Sequence, residues 1–109
     1  MELVIGITGS TGVIYGIRML QILKELGIKT HLVMSEWAEK CIPMETDYTI
    51  EDVKSLATEI SDEKNMAASV SSGTHKTDGM IVIPCSMKTL SSIANGYDET
   101  LVARSAGVI

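Results

Sequence analysis

Three features of this 109-residue chain predict an α/β fold built on an open, parallel sheet with helices on both faces. Short apolar runs rich in β-branched residues recur at residues 3–8, 30–34 and 79–83, as strands buried on both faces require. Segments of helical periodicity follow the first and the last of these runs, each joined to its strand by a tight Gly- or Pro-bearing turn. Alternating strands and helices specify parallel pairing, because the helix is what returns the chain to the same end of the sheet.

Residues 3–8 form the first expected strand, ending in a glycine turn. Ile14, Ile17, Met19, Leu20 and Leu23 recur at helical spacing over residues 13–26, and Gly27 stands where a left-handed terminator belongs. Residues 30–34 complete a βαβ unit with an expected right-handed crossover. Ser35 can cap a helix that starts at Glu36 and that Pro43 should interrupt after Ile42, since proline lacks an N–H and restricts the residue before it. Thr49 and Asp52 form a capping-box variant that opens a short helix through Val53, Leu56 and Ala57. Residues 58–77 are polar and read as a long loop, with a minor strand at residues 66–70. After the strand at 79–83, Pro84-Cys85-Ser86 turns into a helix over residues 87–95 that Gly96 ends, and Asp98 can cap a last helix through Leu101, Val102 and Ala103. The expected product is one domain over residues 1–109, a Rossmann/flavodoxin-like three-layer sandwich.

Hydrophobic residues make up 45% of the chain, which excludes a disordered polymer. Fourteen acidic residues outnumber nine basic ones for a net charge of -5, which argues against nucleic acid or an anionic membrane as partner. The start of the chain lacks the pattern of a secretory signal and no apolar run reaches membrane-spanning length, so the expected location is the cytoplasm. Cys41 and Cys85 lack metal-type spacing and read as reduced thiols.

Ligands of open α/β sheets bind at the carboxyl ends of the strands. Those ends are Gly9-Ser10-Thr11-Gly12, Ser35 and Pro84-Cys85-Ser86. A glycine turn that opens a helix lets backbone N–H groups approach a phosphate, and Ser10, Thr11 and Ser86 add hydroxyl donors. The ordinary alternative is a strand-to-helix turn with a capping hydroxyl. Gly6, Gly9, Gly12 and Gly16 are spaced by three and four residues and offer no G-x-G, and Glu36 is the one acid at the end of strand two, so a mononucleotide fits better than a dinucleotide. No Walker pattern supports ATP hydrolysis.

Ile7-Thr8-Gly9-Ser10-Thr11-Gly12 followed by Tyr15-Gly16 and Arg18 resembles the opening of the flavin prenyltransferases, once called phenylacrylic acid decarboxylases. Residues 72–80 and then Pro84-Cys85-Ser86-Met87-Lys88-Thr89-Leu90 resemble that family's second signature, and the likeness extends to Ala103-Arg104-Ser105-Ala106, where the family has an Arg-Ala-Ala-Asp type sequence. The resemblance implies transfer of dimethylallyl from dimethylallyl phosphate to N5 and C6 of reduced FMN, yielding a prenylated cofactor for a UbiD-type decarboxylase. It implies FMN contacts from Gly9, Ser10, Thr11, Ser35, Ser86, Met87, Lys88 and Thr89, and catalytic roles for Thr11 and Glu45. It also implies a large homo-oligomer with FMN near subunit interfaces. No metal is expected, since the aspartate cluster of magnesium-dependent prenyl synthases is missing.

Two departures from the family pattern stand out. Thr11 replaces a serine, keeping the hydroxyl but adding a methyl group and a stiffer χ1. The chain stops at Ile109, before the family's later Arg, Glu and Tyr positions, so it reads as a domain truncated at its C-terminus. Two other functions stay open: an FMN-binding module without activity, and a related flavoenzyme that decarboxylates a peptidyl cysteine. His31 and Cys85 read as packing residues, Lys88 as a solvated helix residue and His75 as an unremarkable loop residue, while Trp37 suits either plain packing or a flavin or subunit contact.

Overall fold

The computed structural model describes residues 1–9, 12–62, 77–86, 89–90, 93–94 and 105–106. In chain order the elements are β1 (Glu2–Ile7), α1 (Val13–Glu25), β2 (Lys29–Met34), α2 (Glu36–Glu45), α3 (Ile50–Lys54), β3 (Glu59–Asp62) and β4 (Gly79–Val82). The four strands form one parallel sheet in the order β3-β2-β1-β4. The chain steps outward from β1 through β2 to β3, then returns to the other side of β1. That reversal places a topological switch point between β1 and β4, where open α/β sheets leave a crevice at the carboxyl ends.

Alternation along the strands divides the core. Ile5 and Ile7 of β1 and Leu32 and Met34 of β2 face α1, α2 and α3 and pack with Val13, Ile17, Leu20, Ala38, Ile42 and Val53. Val4 and Val33 lie on the opposite face, fully buried against Met80 and Val82. Burial on both faces is why these runs read as nearly continuous hydrophobic sequence. His31 shares the second face at its amino-terminal edge, with Nε2 2.7 Å from Ser61 Oγ and Nδ1 3.2 Å from Glu59 Oε2. It is a buried packing residue remote from the carboxyl-end turns, in line with the sequence reading.

The helix ends follow expected chemistry, with one exception. Gly27 takes φ 73°, its N–H bonds Lys24 O, and the Ile28 N–H bonds Leu23 O, closing α1 in a left-handed terminator. Thr49 Oγ1 accepts from Asp52 N–H while Asp52 Oδ2 accepts from Thr49 N–H, completing the capping box of α3, which ends at Lys54 short of Leu56. Pro43 is the exception. It does not stop α2 after Ile42, and the helix continues to Glu45. Proline removes one N–H near the end, and Thr46 closes the last turn by donating both its N–H and its hydroxyl to Ile42 O, at 2.9 and 2.6 Å.

Strand β3 is a second correction, because its residues fall in the stretch expected to be loop. Glu59-Ile60-Ser61-Asp62 carries one apolar residue, and Ile60 is 44% exposed, so hydrophobic patterning is weak at this edge. The minor strand expected at residues 66–70 lies outside the described residues. Thr89, Leu90, Ile93 and Ala94 are helical, as expected after Ser86, and so are Ser105 and Ala106.

Gly16 brings α1 close to the sheet: a Cβ added there would stand 2.5 Å from Ile83 O and 2.8 Å from Ile7 Cδ1. Alanine improves helix propensity by about 1 kcal/mol, but a backbone carbonyl cannot rotate away. We therefore expect Gly16→Ala to lower unfolding free energy by about 1–3 kcal/mol, measured by urea denaturation; equal or greater stability would contradict this packing.

Candidate functional site

The glycine turn, Ser35 and Ser86 all sit at the carboxyl edge, and β1 sets their relative positions. Ser35 N–H donates to Ile7 O at 3.0 Å, which ties the start of α2 to the end of β1. Ser35 Oγ accepts from Ala38 N–H at 3.0 Å, so this serine is the α2 N-cap and is almost fully buried. Its hydroxyl proton stays available for a ligand acceptor while the oxygen serves the helix. Across β1, Ser86 Oγ accepts from Thr89 N–H at 3.1 Å and lies 2.9 Å from Thr89 Oγ1. Ser86 thus heads the next helix, whose Leu90 N–H bonds Ser86 O at 2.9 Å.

Gly9 is required by close approach. A Cβ at this position would lie 2.6 Å from both Cβ and Cγ of Trp37, so the indole packs directly over the turn. Trp37 remains 56% exposed, and Lys40 Nζ stands 5.8 Å from its ring centroid, a cation–π distance. Gly12 is required by conformation: it adopts φ 105° and, as the N-cap of α1, brings no side-chain cap of its own. Glu45 supplies the missing acceptor, its Oε1 taking the Gly12 N–H at 3.1 Å. A carboxylate is well placed there, because the helix N-terminus carries partial positive charge. This contact depends on α2 continuing past Pro43.

Glu45 also meets Cys41, one turn back on α2. Burial first, and then the Glu45 charge and a hydrogen bond to it, raise the Cys41 thiol above its ordinary value of 9.0. Burial likewise raises Cys85, whose Sγ lies 3.6 Å from Ser86 O. Neither thiol is disposed as a nucleophile at neutral pH.

The structure therefore gathers Gly9, Ser35, Glu45, Ser86 and Thr89 along one edge; Ser10, Thr11, Met87 and Lys88 lie outside the described residues. Thr8 is the residue that sequence reading passed over. It is 1% exposed at the end of β1 and hydrogen-bonded to Pro84 and Ser86. Its signal was a polar β-branched residue where an apolar strand ends. A groove lined by Lys24, Gly27, Lys29, Ser55 and Thr58 lies at the opposite, amino-terminal end of the sheet. No described helix is long and apolar enough to cross a membrane.

The family described as Flavoprotein matches residues 1–109. The "Probable UbiX-like flavin prenyltransferase" of Bacillus subtilis (strain 168) is 51% identical over 109 residues, covering 100% of this chain and 53% of that protein. Among solved structures, AnUbiX (PadA1) in complex with FMN and dimethylallyl pyrophosphate superposes with TM-score 0.97 at 48% identity, over 98% of this chain and 57% of that one. The dodecameric FMN-dependent UbiX-like decarboxylase from Escherichia coli O157:H7 gives TM-score 0.97 at 50% identity, over 99% and 59%. The chain thus spans a little over half the length of these three relatives.

A thiol with a higher pKa in the folded than in the unfolded state makes the native protein bind more protons, so its stability contribution is complete below 9.0 and lost as pH rises through the native value. The fall in urea midpoint between about pH 8 and about pH 10 should be smaller in Cys41→Ala than in wild type. An equal fall would contradict the Cys41 assignment.

Proposed function

Since the chain belongs to the Flavoprotein family, we propose that its carboxyl-edge crevice holds FMN and supplies the N-terminal half of a flavin prenyltransferase site. The observation that supports this reading is that Gly9, whose missing Cβ lets Trp37 close over the backbone, and the Ser86-headed helix stand at the adjacent carboxyl ends of β1 and β4. Both flank the switch point, the place where open α/β sheets bind their ligands. Relatives 51% and 47% identical that bear the prenyltransferase name support the chemistry.

In this reading Gly9, Ser10 and Thr11 contact the flavin on one side, Ser86, Met87, Lys88 and Thr89 on the other, and Ser35 donates its hydroxyl from the head of α2. Reduced FMN is a substrate. The allylic carbon–oxygen bond breaks and the phosphate leaves. C1 of the prenyl unit would bond N5, displacing the N5 proton; protonation of the remaining prenyl alkene would then let its tertiary carbon bond C6, which would lose its proton. Thr11 hydrogen-bonds the flavin or the leaving group. Glu45, held at the α1 N-terminus by Gly12, takes or relays the departing proton. Trp37, half exposed beside the turn, helps exclude water from the allylic cation. No metal is assigned. The partners are the donor and, as user of the product, a UbiD-type decarboxylase.

A homo-oligomer is part of the proposal, supported by exposed Tyr15, Ile22, Leu26 and Met44 and by the dodecameric relative. Cytoplasmic residence is likewise proposed. A second reading is FMN binding without transfer, in which Glu45 serves only as the acceptor for the Gly12 N–H.

Incubating the anaerobically reduced FMN complex with dimethylallyl phosphate, and separately with the pyrophosphate, should yield a flavin heavier by one prenyl unit with at least one donor. An unchanged mass with FMN bound would instead establish the silent module. Gly9→Val should abolish FMN retention by driving a branched side chain into Trp37. Undiminished flavin absorbance in that purified variant would sink the assigned pocket.

A further inference from the structure

The flavin reading leaves unused a buried hydroxyl at the end of β1. Thr8 lies where the main-chain pairing of β1 with β4 runs out. The last rungs are Ile83 N–H to Gly6 O at 2.8 Å and Thr8 N–H to Pro84 O at 3.1 Å. Beyond them Thr8 Oγ1 donates to Pro84 O at 2.7 Å and accepts from Ser86 N–H at 2.6 Å. A side chain thus extends the ladder by one rung after the backbones have parted.

That rung controls the orientation of the segment beyond it. With its N–H held by Thr8, Ser86 turns its Oγ to Thr89 N–H and its carbonyl to Leu90 N–H, setting the direction of the next helix. Gly9 is covalently next to Thr8, so both sides of the crevice hang from this one residue. If the oxygen is removed, Pro84 O keeps the Thr8 N–H but the Ser86 N–H loses its acceptor, and an orphaned, part-buried amide drives its segment to move toward water.

We propose that Thr8 is a positioning residue of the flavin site, its hydroxyl setting the separation between Gly9 and Ser86 before ligand arrives. This rests on the flavin reading. Preorganising both halves lowers the ordering cost of binding, so loss of the rung appears as lost affinity rather than as a missing ligand contact.

The test measures FMN dissociation constants on the full chain, well below its unfolding temperature, for wild type, Thr8→Val and Thr8→Ser. Valine keeps the shape and removes the hydroxyl; serine keeps the hydroxyl. Thr8→Val should weaken FMN about tenfold or more and alter the visible circular dichroism of the bound flavin, with Thr8→Ser within about threefold of wild type. A valine variant within about twofold of wild type, or a serine variant as weak as valine, overturns the proposal. Should the valine variant not fold, hydrogen exchange on flavin-free wild type decides. The Ser86 amide should exchange as slowly as the β1 amides, and exchange at loop rates overturns the proposal. A folded wild type that binds no FMN removes the flavin reading itself, and Thr8's ligand role with it, while slow Ser86 exchange would still establish the rung.

Discussion

Parallel pairing of β1 on both of its edges is the constraint on which the rest of the structure depends. Through Ile7 O it fixes where α2 begins, because Ser35 N–H bonds that carbonyl at 3.0 Å. Through Gly6 O and Thr8 it fixes where β4 ends and Ser86 starts. A central parallel strand buried on both faces has little freedom to shift register, since a slip of one residue would exchange Ile5 and Ile7 with Val4 and Gly6 between two different cores. Site geometry is therefore inherited from the most buried part of the molecule. Loops supply the chemistry and β1 supplies their spacing.

Two close approaches then shape the edge. Gly16 seats α1 against Ile83 O, and Gly9 lets Trp37 lie over the turn. Each is a place where one methyl group has no room, and each borders the crevice. Glu45 adds an electrostatic restraint by capping α1 from the last turn of α2, so the glycine turn is tied to two helices as well as to its own strand. The same contact reassigns part of the donor set. Gly12 N–H serves Glu45 and is withdrawn from any ligand.

Much of this was legible in the sequence, for identifiable reasons. Strands buried on both faces write themselves as apolar runs, so β1, β2 and β4 could be read directly, and Gly27 and the Thr49–Asp52 pair marked helix ends by local chemistry. Strand β3 escaped because an edge strand needs few apolar residues, and Ile60 alone carried the pattern. The continuation of α2 through Pro43 escaped because a missing N–H near a helix end costs little when Thr46 closes the turn twice. The Glu45–Gly12 contact depends on that continuation and could not be found by spacing. Thr8 was hidden differently, since a lone hydroxyl beside a glycine turn looks like an ordinary cap until its burial demands partners. Family resemblance carried the catalytic assignments, which no local pattern supplies for a lone carboxylate such as Glu45.

The central claim is that flavin binds at the carboxyl edge between β1 and β4. Titration of FMN into isotope-labelled protein, followed residue by residue through amide chemical shifts, tests it directly. The account predicts saturable shifts concentrated at Gly9, Gly12, Ser35, Ser86 and Thr89. Shifts concentrated instead in the groove of Lys24, Gly27, Lys29, Ser55 and Thr58 at the other end of the sheet would contradict it.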